Sequence, residues 1–302
     1  MKKILALILF LTITGASAKI IPVTLPFPPG GATDRAWRTL QPMLAQELKN
    51  DNIELVTEYR PGGGGLVAGT HVATAADTQL LFTSASVMIS LAQQDNAPYR
   101  PSDFRMLGYF GTLPMAFVVP TSGPDTMKEF IQLCRSKTLN LGSAGIGSTI
   151  HLVAESIMKS VKCDFVNVPY KGPGAIVPDL IAARVDFMVD YTASSTFNIV
   201  KDGKLKSIML ISSQRLPDAP GVPTANELGI DVDNLKNWQV FLINERASVD
   251  DTAKISAAVK RVLSKQENLQ EFKNMGLDGA GSKISPTFLQ DNYNFYRKYI
   301  SK

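Results

Sequence analysis

The sequence predicts an α/β protein folded into two lobes. Short runs rich in Val, Ile, Leu and Phe alternate with segments of helical spacing, which is typical of a largely parallel sheet covered on both faces. At roughly 150 residues per domain, the 302-residue chain has the length of two domains. The nine runs are, in order, IIPVT, IELVTE, QLLFT, AFVVP, TLNLG, FVNVP, DFMVD, KSIMLIS and WQVFLI.

The last segment of the chain, from Asp250 to Lys302, contains none of these runs and is predicted to be helical. Ser248 and Asp250 offer starts for its first helix, and an aromatic group between Phe288 and Tyr299 belongs to its last. In a two-lobed protein we expect this tail to return to the first lobe and pack against it.

The amino terminus has the three-part pattern of a secretory signal peptide. Lys2 and Lys3 precede an apolar run from Ile4, and the small triplet Ala16-Ser17-Ala18 follows it. We therefore predict that residues 1–18 are removed after Ala18 and that the mature protein is exported. No other segment approaches the roughly 20 apolar residues of a spanning helix, and neither cysteine lies near the cleavage site, so no membrane anchor is expected.

The charge of the mature chain argues against a nucleic-acid partner. Removal of Lys2 and Lys3 lowers the net charge from +4 to +2. The chain also lacks a basic run with interleaved aromatic residues.

The first predicted site is the join VTLPFPPGGATDRAWRTL, residues 23–40, where a strand ends near Leu25 and a helix begins near Thr33. Gly30 and Gly31 let a ligand approach the main chain, and Thr33 or Asp34 can cap the helix. The exposed N–H groups at the start of a helix suit an anion, because the helix end also carries a partial positive charge. The alternative is a plain strand-to-helix turn capped by Asp34.

Two further joins follow the next strands. The segment YRPGGGGLVAG, residues 59–69, contains four consecutive glycines, more than a tight turn requires. This excess indicates close backbone approach to a ligand, a flexible lip or a surface loop. In FTSASV, residues 82–87, Ser84 and Ser86 either cap a helix or donate hydrogen bonds to a ligand.

The fourth join, NLGSAGIGSTIHL at residues 140–152, again leads from a strand through glycines to a helix that opens at Ser148 or Thr149. Its glycine spacing differs from the dinucleotide fingerprint, and no P-loop lysine follows. His151 either hydrogen-bonds to the turn or faces a ligand. Because His71 is the only other histidine, no metal site is predicted.

The fifth join, VPYKGPGA at residues 168–175, places Tyr170 and Lys171 after a strand. Lys171 either contacts an anion or is solvated. The chain has no G-x-S-x-G elbow, H-E-x-x-H helix, C-x-x-C pair or Walker loop, so neither an enzyme nor a cofactor is predicted. Cys134 and Cys163 lie away from the predicted ligand joins and form either one structural disulfide or none.

Four motifs resemble one known family. They are PFPPGGATD, EYRPGGGG, GSAGIGSTIHL and VPYKGPGAIVPDLIAARVDFMVD, and they lie in order between residues 20 and about 240. In this respect the sequence is similar to the periplasmic solute-binding proteins of the tripartite tricarboxylate transporters, the Bordetella uptake gene (Bug) family. The chain departs from the family at Tyr59, where asparagine is usual, at AADTQLL, where PDGYTLL is usual, and at NERASVD, where the hinge usually contains proline and glycine.

The resemblance implies a periplasmic, monomeric protein with a two-lobed Venus flytrap fold of the type II-like class. It implies two chain crossings, near Gly111 to Ala116 and near Trp238 to Leu242. Lobe 1 would comprise residues 19–112 and 241–302, and lobe 2 residues 113–240.

The resemblance also implies a function: capture of a small carboxylate between the lobes, by main-chain groups and ordered waters, and delivery to the membrane permease of such a transporter. Two alternatives are presentation of the ligand to a sensor kinase and an exported enzyme that uses His151 or Asp190 as a base. Tyr191 is expected among the side chains that select the acid. The residues expected to bind the ligand are Phe27, Pro28, Gly30, Gly31, Ala32, Thr33, Asp34, Ser84, Ser86, Ser143, Ala144, Gly145, Gly147, Ser148, Thr149, His151, Tyr170, Lys171 and Asp190.

Overall fold

A computed structural model describes residues 18–192, 194–212, 214–230, 232 and 237–300 of the chain. The predicted signal peptide lies outside these residues, except for Ala18. None of the helices in the described part combines the length and the apolar character of a bilayer-spanning segment.

Strands and helices alternate along most of the chain. The strands are β1 (Lys19–Leu25), β2 (Ile53–Tyr59), β3 (Leu80–Ser84), β4 (Phe104–Thr112), β5 (Met115–Pro120), β6 (Leu139–Ser143), β7 (Phe165–Pro169), β8 (Met188–Tyr191), β9 (Leu205–Ile211) and β10 (Trp238–Asn244). The helices are α1 (Ala32–Leu48), α2 (Leu66–Thr74), α3 (Ser86–Ala92), α4 (Met127–Ser136), α5 (Thr149–Ser160), α6 (Pro173–Ile181), α7 (Ser195–Lys201), α8 (Val249–Ser264), α9 (Gln266–Asn274) and α10 (Phe288–Ile300).

The first lobe is built on a sheet with the strand order β2-β1-β3-β10-β4. The three strands β2, β1 and β3 are parallel, whereas β10 is antiparallel to both of its neighbours. Trp37 of α1 packs on this sheet with its ring centroid 5.6 Å from those of Phe82 and Phe241. All three side chains are fully buried, so this aromatic cluster forms the centre of the first core.

The second lobe contains the strands β6 and β7, which are parallel, and the antiparallel set β8-β5-β9. A parallel bridge from Leu141 to Phe187 joins the two sets. In both lobes the predicted parallel sheet is interrupted by one antiparallel strand, which is β10 in the first lobe and β5 in the second. Phe117, Phe130 and Phe187 pack together at centroid distances of 4.8 to 5.2 Å and form the centre of the second core.

The chain passes between the lobes twice. It leaves the first sheet at Thr112 and enters β5 at Met115. On its return, Trp238 already pairs with Thr112 in the first sheet. The boundary predicted near Trp238 to Leu242 would fall inside β10, so we propose that the return crossing precedes Trp238.

The carboxyl-terminal helices pack on the first lobe. Asn292 of α10 accepts a hydrogen bond from the indole N–H of Trp238 at 2.9 Å, and Arg297 donates to the carbonyl of Ala92 at 2.8 Å. In the second lobe, Cys134 and Cys163 form a disulfide with their Cα atoms 5.8 Å apart. Of the two alternatives that the sequence leaves open for the cysteines, the structure has the bonded pair.

Candidate functional site

A cleft of about 330 Å³ lies between the two lobes. The first lobe contributes the loop after β1, and the second contributes the loops after β6, β7 and β8. This is the arrangement expected for α/β sheets, in which ligands bind beyond the carboxyl ends of the strands. The lining residues are Phe27, Pro28, Pro29, Gly30, Gly31, Ala32, Thr33, Ala144, Ser148, Thr149, Ile150, Lys171, Gly172, Pro173, Gly174, Ala175, Tyr191, Ser194, Ser195 and Thr196.

Two long helices begin at this cleft from opposite lobes. Helix α1 starts after the N-cap Gly31, which has an extended backbone and no side chain that could occupy the helix end. Helix α5 starts after the N-cap Ser148, whose hydroxyl accepts a hydrogen bond from the N–H of His151 at 3.3 Å. The first N–H groups of a helix lack partners within the helix and attract anions. A carboxylate in the cleft could therefore be held from both sides.

Asp34 holds the loop after β1 in shape. One carboxylate oxygen accepts the N–H of Gly30 and the Nε–H of Arg38, both at 2.9 Å, and the other accepts the hydroxyl of Tyr59 at 2.6 Å. Burial alone would raise the pKa of Asp34, but these hydrogen bonds hold it below the ordinary value. The carboxylate is fully engaged and does not line the cleft, so it positions the loop.

His151 has a similar supporting position in the loop after β6. Its Nδ1 accepts the N–H of Gly147 at 3.3 Å, while the hydroxyl of Ser148 donates to the carbonyl of Gly145 at 2.9 Å. Burial lowers the pKa of His151, which favours the neutral ring that this acceptor role requires. Of the two roles open from the sequence, hydrogen bonding to the turn is the one that the geometry shows.

The predicted residues divide into two groups. About half line the cleft: Phe27, Pro28, Gly30, Gly31, Ala32, Thr33, Ala144, Ser148, Thr149 and Lys171. The others lie behind the lining or beside it: Asp34, Ser84, Ser86, Ser143, Gly145, Gly147, His151, Tyr170 and Asp190. Contact with a ligand stays a prediction for both groups.

Three of the residues outside the lining are engaged with the protein itself. Ser84 and Ser86 are fully buried and their hydroxyls are 3.0 Å apart. The hydroxyl of Tyr170 donates to Asp179 at 2.7 Å. These side chains therefore stabilise the loops around the cleft.

Sequence reasoning missed the loop after β8. Ser194, Ser195 and Thr196 line the cleft, and they follow the run DFMVD in the sequence YTASST. The same rule that selected the other joins, polar residues directly after a strand, would have found them. The other lining residues that were missed are Pro29, Ile150, Gly172, Pro173, Gly174 and Ala175.

The polar groups of the cleft are mostly hydroxyls. Thr149 and Thr196 are each 1% exposed, and their hydroxyl oxygens make no hydrogen bond of good geometry. Thr149 lies beside the hydroxyl of Tyr191, and Thr196 lies beside the carboxylate of Asp190. Lys171 is the cation among the described lining residues. The described part of the chain contains no group of His, Cys, Asp and Glu side chains suited to a metal ion.

Comparisons with known proteins agree with this architecture. The model of a family described as tripartite tricarboxylate transporter family receptor matches residues 37–301. The UPF0065 protein in the tcbD-tcbE intergenic region of Pseudomonas sp. (strain P51) is 27% identical over 281 residues, which cover 89% of this chain and 81% of the relative. Protein BugT of Bordetella pertussis is 29% identical over 220 residues, 70% of this chain and 66% of BugT.

A solved structure extends the similarity to the whole fold. MatC from Rhodopseudomonas palustris with bound malate is 25% identical, and the two structures superimpose with a TM-score of 0.81 over 93% of this chain and 99% of MatC. The match to the family model covers well over half of the sequence. The chain therefore belongs to the tripartite tricarboxylate transporter receptor family, together with the Bug proteins.

Proposed function

We propose that this protein is an extracytoplasmic receptor that captures a small carboxylate between its lobes and delivers it to a tripartite tricarboxylate-type permease. The observation that carries the proposal is the cleft in which α1 of one lobe and α5 of the other begin, with Gly31 and Ser148 as their N-caps. The malate bound to the related MatC supports a carboxylate as the ligand.

The proposed mechanism couples binding to closure. A carboxylate that accepts N–H groups from both helix ends contacts both lobes only when the cleft is shut. Hydrogen bonds to a charged group contribute about 1.5–3 kcal/mol each, so a few of them shift a hinge equilibrium strongly towards the closed form. The permease would then recognise the closed shape.

The two alternative functions are separated by different observations. The bases that an exported enzyme would use, His151 and Asp190, both lie outside the cleft lining and are hydrogen-bonded to the protein. Delivery to a permease and presentation to a sensor kinase would both use the same cleft. Uptake of the ligand by a deletion strain distinguishes them, because only a transport receptor is required for uptake.

A thermal-shift screen of small carboxylic acids against the chain from Lys19 onward tests the proposal. A ligand that binds only the folded protein raises its melting temperature. The variant Gly31→Val should lower the affinity at least about tenfold. A Cβ on Gly31 meets nothing closer than a carbonyl at 3.9 Å and the residue has φ −76°, so the new side chain would occupy the cleft without backbone strain.

Gly221→Val is the matched control, because a Cβ there also meets nothing within 4 Å and Gly221 is not among the residues that line the cleft. It should leave affinity unchanged. Equal affinity of Gly31→Val and wild type would rule out the loop after β1 as the anion site. The absence of any stabilising acid would refute carboxylate binding.

A further inference from the structure

A buried carboxylate lies directly behind the cleft, at the end of β8. Asp190 is 1% exposed. One of its oxygens accepts the N–H of Tyr191 and the other accepts the hydroxyl of Ser194, both at 2.8 Å. No lysine, arginine or histidine in the described part of the chain acts on its charge. The negative charge is therefore compensated only by neutral donors.

Ser194 connects this carboxylate to the cleft. The residue lines the cleft, is 3% exposed, and uses its single hydroxyl hydrogen in the bond to Asp190. A serine hydroxyl has one hydrogen and two lone pairs, so Ser194 can only accept a hydrogen bond from a ligand. The hydroxyl of Thr196 also lies close enough to Asp190 to stabilise its charge, although the two groups make no well-aligned hydrogen bond.

The strand order places this acceptor opposite the cation of the cleft. Strand β6 lies between β7 and β8, because it pairs with β7 and bridges to Phe187 next to β8. Lys171 follows β7, and Ser194 follows β8. A ligand carboxylate held by the loop after β6 therefore has a cation on one flank and a buried anion with a committed acceptor on the other.

Of the two flanks, only the β8 side is buried enough to discriminate strongly between ligands. Lys171 is exposed to solvent, where a pair of charges contributes little. Asp190 and Ser194 are buried, where an unpaired or repelled charge has a large cost. Burial raises the pKa of Asp190 to about 6, so its carboxylate is ionised at pH 7.5.

We propose that Asp190, acting through Ser194, selects carboxylates that carry a hydrogen-bond donor at the β8 end of the cleft, a hydroxyl or an ammonium group, over those with a second carboxylate there. Asp190 is thus a positioning residue for ligand specificity. The inference rests on the proposed function and adds the chemical class of the second group of the ligand.

Three matched series of probes test this specificity. Each series keeps one carboxylate and one spacer and changes only the far group. The first contains succinate, 4-hydroxybutyrate and 4-aminobutyrate. The second contains adipate, 6-hydroxyhexanoate and 6-aminohexanoate. The third contains terephthalate, 4-(hydroxymethyl)benzoate and 4-(aminomethyl)benzoate. Thermal shifts identify the series that binds, and isothermal titration calorimetry at pH 7.5 gives the dissociation constants.

In the binding series, we expect a donor member to bind at least about tenfold tighter than the dicarboxylate, since like charges placed together in a binding site are strongly disfavoured. Asp190→Asn should strengthen binding of the dicarboxylate, and so reduce the ratio of the two dissociation constants to less than about threefold. Ser194→Ala should also reduce this ratio, because it weakens binding of the donor member. It replaces Asp190→Asn as the test if that variant does not fold. Ser195→Ala is the control for a cleft hydroxyl without a bond to Asp190, and should leave the ratio unchanged.

The outcomes separate the two proposals. A dicarboxylate that binds as tightly as its donor partners, or an unchanged ratio in Asp190→Asn and Ser194→Ala, overturns the specificity inference and leaves carboxylate binding intact. Failure of every member of every series to bind, together with failure of the wider acid screen, overturns the proposed function and this inference with it.

Discussion

At the scale of single residues, Asp190 gives the fold an unusual dependence on pH. Burial raises its pKa from an ordinary value of 3.8 to about 6. Between these values the folded chain holds a proton that the unfolded chain releases. The contribution of Asp190 to the free energy of unfolding therefore falls as the pH rises through this window.

Asp190→Asn removes this dependence. As the pH rises from 4 to 7, the wild type should lose up to about 3 kcal/mol of unfolding free energy relative to the variant. Urea denaturation of both proteins across this range measures it. Carboxylates with lowered pKa, such as Asp34 and Asp251, have the opposite trend, but they are common to both proteins and cancel in the difference. A difference that is constant with pH would contradict the buried, unpaired state of Asp190.

The main-chain part of the candidate site could be predicted from local sequence, whereas the roles of its charged side chains could not. Gly30 and Gly31 follow a strand and precede a helix, and that local order places them at the cleft. Asp34 was expected at the ligand as well. Its carboxylate turns into the loop because Tyr59, from the neighbouring strand β2, donates to it. A partner 25 residues away in sequence leaves no local pattern.

At the scale of elements, the disulfide ties helix α4 to the segment before β7. Its loop spans 29 residues, for which the chain-entropy estimate is about 3–4 kcal/mol. The double variant Cys134→Ala/Cys163→Ala should lose that much free energy of unfolding. Urea denaturation measures the loss.

Ligand affinity should change less than about threefold in the same double variant. Cys163 precedes β7, whereas Lys171 and the other cleft residues of this unit follow the opposite end of the strand, so the bond is remote from the site. A variant with wild-type stability would contradict the stabilising role of the disulfide. A large loss of affinity at temperatures where the variant is folded would contradict its distance from the site.

The elements themselves were largely evident from apolar runs, with one strand missed. Strand β4 has the sequence FRMLGYFGT, in which Gly108 and Gly111 interrupt the apolar pattern. Both glycines are required by packing, because a Cβ on Gly108 would overlap Val259 and one on Gly111 would overlap the carbonyl of Asp278. Strand direction was harder to predict, since β5 and β10 have continuous apolar runs typical of buried parallel strands although both pair antiparallel with their neighbours.

At the scale of the whole molecule, the two lobes touch beside the cleft. Gly147, in the loop after β6, lies against Gln93 at the end of α3 and against the glycine-rich loop at Gly64. A Cβ at Gly147 would overlap the amide of Gln93, so the Gln93 side chain would have to move for the lobes to approach as closely. The four-glycine segment, for which the sequence allows a ligand loop, a flexible lip or a surface loop, thus provides a surface for contact between the lobes.

Gly147→Ala should hold the lobes apart, because its methyl group and the Gln93 amide would compete for the same space. We expect a larger radius of gyration by small-angle X-ray scattering and at least about a tenfold loss of affinity for the acid found by thermal shift, since closure then works against a clash.

Gly147 also has φ +79°, so the substitution brings backbone strain of its own. Gly145→Ala isolates that strain, because Gly145 has φ +105° and open space around its Cβ position. Gly145→Ala should stay compact, and adding Gln93→Ala to Gly147→Ala should restore the compact shape. If Gly145→Ala is expanded, or if the double variant stays open, loop strain rather than contact between the lobes sets the closed shape.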